Sequence, residues 1–398
     1  MKILFATLML PQPHADHASS FTVFKVIEHL SKRHAVSLIS FVASEDERRA
    51  ARFVAQYCRR VETVLLPRSV LHKLWARANL ATLTPIAISQ AYSSEMRRKL
   101  GSIQKDERFD IVELEYTPMA QYLSDVAGAA SVLAIQDVMY VVADRFVESL
   151  PFSRRKLEWL IDGRLCRRYE PRQLAGFDRV ITVSRESREQ LLARNPDLRI
   201  SVVPPGVDPP AAPKTHSPGR GNRLIFMGAM WRPHNVDAVL YFYRSIFGRI
   251  RQAIPDVVLC VAGGSPPEEV KALESDPSVR VTGYVEDLLP HYLEADISVV
   301  PMRIAGGIMC KVLDAMAAGL PVVTTSQGNE GVGAAPEEEL IVADSPEEFA
   351  RRTIELLEDG RRRQCLSERG LEFVRRNHGW DQIIRRLESV YEDCLSSH

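Results

Sequence analysis

The 398-residue chain lacks any C-x-x-C pair, and its six cysteines (Cys58, Cys166, Cys260, Cys310, Cys365 and Cys394) stand singly, with no histidine at a metal-ligand spacing. A disulfide framework and a zinc site built on cysteine are therefore set aside, and the expectation is a protein of the reducing cytoplasm. Neither charge is in excess, with 51 Lys and Arg against 51 Asp and Glu, so the global field gives no reason to expect nucleic acid as a partner. No stretch reaches the roughly 20 apolar residues of a membrane helix. The opening MKILFATLMLPQP is short and meets Pro11 and Pro13 where a signal peptide would carry small residues, so it reads as a first strand. No G-x-G-x-x-G follows that strand, and neither a P-loop nor a G-x-S-x-G elbow is present, which disfavours a dinucleotide dehydrogenase, a P-loop enzyme and an elbow hydrolase. Internal repeats, low-complexity tracts and coiled-coil heptads are missing as well.

What is present is a chain with 45% hydrophobic residues, enough to bury sizeable cores in two domains. Short β-branched runs alternate with longer amphipathic segments, the rhythm of parallel strands joined by helices. KILFAT, AVSLISFV, VETVLLP, DIVELEY, SVLAIQ and DRVITVS form one series; RLIFMG, VVLCVAGG, VRVTG, DISVVPM and PVVTTS form a second. Between them VVPPGVDPPAAPKTHSPGRGN holds six prolines and three glycines, incompatible with a helix or a central strand. The division predicted is an N-terminal α/β domain over 1–205, rejoined by a final helix over 380–398, a linker over 206–222, and a C-terminal α/β domain over 223–379. Ser265, Pro266 and Glu268 are spaced as a capping box for a helix of the second domain.

The chemistry concentrates in AGGIMCKVLDAMAAGLPVVTTSQGNEG, residues 305–331. Gly306 and Gly307 let backbone approach a ligand, the helix that follows offers its positive end, and Lys311 adds a full charge one turn in. A diphosphate fits this combination. Asp314, three residues on, is placed to accept hydrogen bonds from ribose hydroxyls, as an acidic residue does in dinucleotide-binding folds. The alternative is local: Lys311 snorkels, Asp314 is its partner at i,i+3, and the glycines only turn the chain.

Four blocks extend the comparison over nearly the whole chain: PPGVD, FMGAMWRPHNVDAV, VTGYVEDLLPHYLEADISVVP and KVLDAMAAGLPVVTT. In these the chain resembles the retaining glycosyltransferases of the GT-B fold, family 4. The resemblance implies two Rossmann-like domains facing each other across a cleft, with a C-terminal helix crossing back to the N-terminal domain. It implies a hexose moved from a nucleotide-diphosphate sugar to the hydroxyl of a glycan or lipid-linked acceptor, with front-face attack and no cofactor. On the donor side it implies Gly228, the base contacts Tyr284 and Val285, and the loop Gly306, Gly307, Ile308 and Met309 with Asp314 beyond it; Lys311 and Arg232 would counter the charge on the departing diphosphate.

The chain departs from the family at several points. Gly306 stands where many relatives carry a glutamate, GIMCK replaces G-T-R-L-K, and Ala229 holds the place nearest a common basic residue, leaving Arg232 to serve three positions later. PHADHASS replaces the glycine-rich acceptor loop, and its His14, Asp16 and His17 read as acceptor-side polar lining in preference to a metal site. Gln136 takes the place of a common histidine, so Asp137 becomes the nearest ionisable side chain toward the acceptor, or else a helix cap. The run 154–172, with seven basic residues among Leu157, Trp159, Leu160, Ile161 and Leu165, reads either as a solvated helix over an apolar stripe or as peripheral contact with the inner membrane face. Trp380, Ile383, Ile384, Leu387 and Tyr391 lie at helical spacing in the tail. Two other functions stay open: a sugar-nucleotide epimerase of the same fold, and a nucleotide-sugar-binding protein in which catalysis has lapsed.

Overall fold

The computed structural model describes residues 1–13, 18–149, 152–215, 221–304 and 307–397. His14, Asp16, His17 and Gly306 lie outside the described residues. The chain divides into two compact units, the first comprising Met1–Pro204 and Ile383–His398 and the second Pro205–Gln382. Among the described residues no helix is long and apolar enough to cross a membrane.

In the first unit seven strands form one sheet: β1 (Lys2–Thr7), β2 (Ala35–Val42), β3 (Arg60–Leu65), β4 (Ile111–Glu115), β5 (Ala130–Ile135), β6 (Arg179–Thr182) and β7 (Ile200–Val202), in the order β3-β2-β1-β4-β5-β6-β7. Every pairing is parallel, with Ile3 opposite Val36 on one side and Ile111 on the other. Central strands covered on both faces must be apolar throughout, and all six residues of β5 are buried. The second unit carries β8 (Arg223–Met227), β9 (Val258–Ala262), β10 (Val279–Gly283), β11 (Ile297–Val300), β12 (Val322–Thr324) and β13 (Ile341–Val342), ordered β10-β9-β8-β11-β12-β13 and again all parallel. In each sheet the order reverses once, between β1 and β4 and between β8 and β11. The carboxyl ends of the strands at such a reversal open a crevice that open α/β sheets use for ligands.

Two edge strands, β7 and β13, were not among the runs read from the sequence. The capping box is also corrected. Ser265 sits in the left-handed region at φ 57, and the helix begins only at Glu268, with Pro267 in the capping position and no side-chain cap. Residues read as linker are fixed to the second unit: the Lys214 N–H donates to the Ala318 carbonyl at 2.9 Å, its ammonium to the Leu293 carbonyl at 2.9 Å, and Val207 bridges Gly379. The apolar stripe of the last helix, Trp380–Ser397, is wholly buried. Its Ile383, Ile384, Leu387 and Tyr391 belong to the first unit.

Candidate functional site

In the second unit the carboxyl ends of β8, β9 and β10 are drawn together by glycines. The Gly228 N–H donates to the Ala262 carbonyl (2.9 Å), that of Met230 to Gly264 (2.9 Å), and that of Gly263 to Gly283 (3.1 Å). A Cβ on Gly263 would lie 1.9 Å from the Gly228 carbonyl oxygen, so no other residue permits this approach. Tyr284 and Val285 follow directly on β10. Tyr284 is 62% exposed and its ring borders Gly264, leaving a large flat aromatic surface open beside the strand ends.

Two helices start toward the same place. Pro233–Tyr241 opens at the extended residue Arg232 with Pro233 in its first turn, and Cys310–Ala317 opens at Met309; neither has a side-chain cap, so each leaves its positive end to another group. Ile308 and Met309 form the step into the second helix, after Gly307 turns the chain at φ 63, a conformation glycine adopts without penalty.

Lys311 reaches back across this cluster. Its ammonium donates to the amide oxygen of Asn235 at 2.5 Å, lies 3.9 Å from the Met302 sulfur at the end of β11, and stands 4.6 Å above the Phe226 ring. Both hydrogen-bond acceptors are neutral. Asn235, 3% exposed, is fixed in turn by donating to the Ala229 carbonyl at 2.9 Å. A Cβ on Gly228 would fall 2.8 Å from the Asn235 amide nitrogen and 2.9 Å from the Lys311 ammonium, which explains a glycine there.

Burial pushes the Lys311 ammonium down to about 7, with Arg232 adding to the fall. The neighbouring His234 imidazole is pushed down to about 3 by burial, Lys311 and Arg232. The pocket thus strains against its own positive charge, a condition an incoming anion relieves. Asp314, one turn beyond Lys311, is closely surrounded by protein, which pushes its carboxyl up to about 7 against the pull of Lys311. The residue as a whole is nonetheless exposed to solvent, which moderates the rise.

The structure brings Gly228, Arg232 and Lys311 together and sets Tyr284 beside the same glycines. Asp314 shares the Lys311 helix. Asp137 belongs to the first unit, exposed two residues beyond the end of β5. The helix after it, Met139–Ser149, receives its first N–H bond elsewhere: Met139 donates to the Glu170 carboxylate at 3.2 Å, which also accepts from the Thr117 hydroxyl. Beside it, Gln136 hydrogen-bonds the buried carboxylate of Glu115. His234 and Asn235 were missed from the sequence; the available signal was a buried amide inside the apolar stripe of a helix. Among the described residues no group of three or more His, Cys, Asp or Glu is gathered as a metal site.

Comparison with known proteins agrees with this geometry. Glycosyltransferase Family 4 matches residues 20–210 and the glycosyl transferases group 1 family matches residues 221–359. A protein of Klebsiella pneumoniae described as an uncharacterized 44.6 kDa protein in a cps region is 21% identical over 97% of this chain and 98% of its own. Sucrose-phosphate synthase from Thermosynechococcus elongatus superposes with a TM-score of 0.70 at 16% identity, covering all of both chains. HepE of Anabaena, solved in complex with UDP, superposes with a TM-score of 0.67 at 14% identity over 99% of this chain and 100% of its own. The structural likenesses establish the fold, and the two family matches together span most of the sequence: the chain belongs to the family 4, group 1 glycosyltransferases and has the GT-B fold.

Proposed function

We propose that this glycosyltransferase takes a nucleoside diphosphate hexose on its second unit and transfers the hexosyl group to an acceptor hydroxyl with retention of anomeric configuration, in the synthesis of a glycan, polysaccharide or glycolipid. The observation that carries the reading is the Lys311 ammonium, held on neutral partners at the meeting of two uncapped helix starts, with Arg232 and His234 in its field. A diphosphate answers each of these at once, since its charge restores the lysine's protonation and its oxygens accept from helix N–H groups. The base stacks at Tyr284 and meets backbone at Val285, the ribose hydroxyls face Asp314, and the phosphates lie over Gly228, Gly307, Ile308 and Met309. HepE was solved with UDP, so uridine is the first base to test. The Klebsiella relative, from a cps region, supports a polysaccharide product.

In the transfer, the bond between the anomeric carbon and the diphosphate oxygen breaks as the acceptor oxygen approaches on the same face. The acceptor proton passes to the departing phosphate, and Asp137 orients the hydroxyl. Lys311 and Arg232 stabilise the charge that grows on the diphosphate, the largest contribution such a site makes. No cofactor or metal is assigned a step.

The test is incubation with a panel of UDP- and GDP-hexoses and a glycolipid extract, reading products by mass spectrometry and the new linkage by its anomeric proton coupling. A glycoside with the donor's configuration is expected. An inverted linkage rejects retention; interconverted sugar nucleotides without a glycoside indicate an epimerase; binding without turnover indicates a lapsed enzyme.

A further inference from the structure

The first unit leaves large apolar side chains uncovered on two of its helices. On the helix Val70–Ala78 only Ala76 is buried, while Val70, Leu71 and Leu74 are 73%, 79% and 56% exposed. The helix is nevertheless fixed. Ser69 caps it by accepting from the His72 N–H, the His72 ring bonds the Gln90 carbonyl at 3.1 Å, and Trp75 packs on Tyr92 with centroids 5.6 Å apart. Four residues past the exposed Thr82, the Ile86 N–H donates to Asp162 at 2.8 Å, which ties this region to the helix Arg154–Leu174. On that helix Leu157 and Ile161, one turn apart, are again 53% and 44% exposed. Water-facing leucines in such number forgo the transfer that drives folding, which marks a surface meant to be covered.

Charge selects the cover. Between Glu62 and Glu95 the chain has no acidic residue but carries Arg68, Lys73 and Arg77, interleaved with the exposed leucines. A second copy pairing through this face by a two-fold axis would set these cations against themselves. An anionic lipid surface attracts them and takes the leucines as well. We propose that the face of the helix Val70–Ala78 docks on an anionic membrane surface, with Val70, Leu71 and Leu74 entering the headgroup boundary and the basic side chains Arg68, Lys73 and Arg77 lying over lipid phosphates. The inference is independent of the donor chemistry, because its test reads only binding.

The full chain is floated with vesicles of phosphatidylcholine alone and with vesicles containing phosphatidylglycerol, at low and high salt. Binding to the anionic vesicles is expected, weakened by salt. The Leu71→Glu/Leu74→Glu double variant should lower partitioning at least about tenfold, and Arg68→Gln or Lys73→Gln about fivefold each. Melting should be unchanged in all, since every replaced side chain is exposed; the charge variants test the proposal even if the double variant fails to fold. Absence of flotation, equal binding to both vesicle types, or binding indifferent to these substitutions overturns the proposal. Self-association in sedimentation that Leu71→Glu/Leu74→Glu abolishes overturns it in favour of a second copy.

Discussion

The ammonium of Lys311 is the side chain on which the donor site turns, because neither the Asn235 amide oxygen nor the Met302 thioether neutralises it. Lys311→Ala should lower turnover about a hundredfold or more, the size expected when one preorganised charge at a developing anion is lost. Steady-state kinetics beside thermal melting decide the point: undiminished turnover in a folded variant removes the diphosphate assignment. Gly228→Ala probes the same place from the backbone. Its methyl group would crowd both Asn235 and Lys311, and because Asn235 is itself held by Ala229, the lysine must yield. The expected result is donor-dependent activity reduced about tenfold to a hundredfold with the fold retained; unaltered donor kinetics would show that the contact is slack. On the first unit, the Met139 N–H is already served by Glu170, which lessens the need for Asp137 as a cap. Asp137→Asn should therefore lose activity at unchanged melting temperature. Destabilisation in Asp137→Ala alone, with activity kept in Asp137→Asn, would return the residue to a capping role.

At the scale of elements, the last helix is joined to the first sheet by a buried hydrogen bond: the Tyr391 hydroxyl donates to the Glu113 carboxylate of β4 at 2.6 Å. Both side chains are buried, and Glu113 also shares a hydrogen bond with Glu115. Tyr391→Phe keeps the ring and removes the donor, so it should cost about 1–3 kcal/mol in urea unfolding, the penalty of leaving a buried acceptor short of a partner; a cost near zero would mean that Glu115 alone satisfies Glu113. The helix itself was legible from the spacing of Trp380, Ile383, Ile384, Leu387 and Tyr391, and eleven runs of β-branched residues were legible as strands. β7 and β13 were not, since three and two residues become strands only through β6 and β12 beside them. Ser265 failed as a cap for a related reason. The close approach of Gly263 to Gly228 dictates the backbone there, and Ser265 is carried into the left-handed region where its hydroxyl cannot serve the helix start. In the site, Lys311 and its glycines were legible because their chemistry is local. Asn235, 76 residues away from Lys311 in sequence, acquires its meaning only when β8 and β11 lie side by side.

The whole chain is formally neutral, yet its two units bury different ionisable groups: raised carboxyls in the first, and in the second a raised Asp314 and a lowered His234 that oppose each other below about pH 7, with the lowered Lys311 acting above it. In the first unit, burial raises Glu113, Glu115 and Glu170, the last to about 7. Carboxyls with raised pKa hold protons in the folded state that the unfolded chain has released, so their contribution is complete below the unfolded value near 4.5 and is lost as pH rises through about 7. In the second unit, Lys311 is lowered to about 7 from 10.5. Between those values the unfolded chain binds more protons than the folded one, so stability rises with pH across that window. Each such proton changes stability by up to about 1.4 kcal/mol per pH unit. Calorimetry of a two-unit chain can resolve two transitions. The transition of the first unit should fall in temperature from about pH 5 to about pH 7.5, and that of the second should rise from about pH 8 to about pH 9.5, below the range where tyrosines titrate. Glu170→Gln should lessen the first trend and Lys311→Met flatten the second, which assigns each transition to its unit. Two transitions that move in parallel, or slopes indifferent to both substitutions, would mean that these buried groups do not govern the response. A donor diphosphate should then abolish the second slope as well, since an anion beside Lys311 restores its proton and removes the difference between folded and unfolded states on which the slope depends.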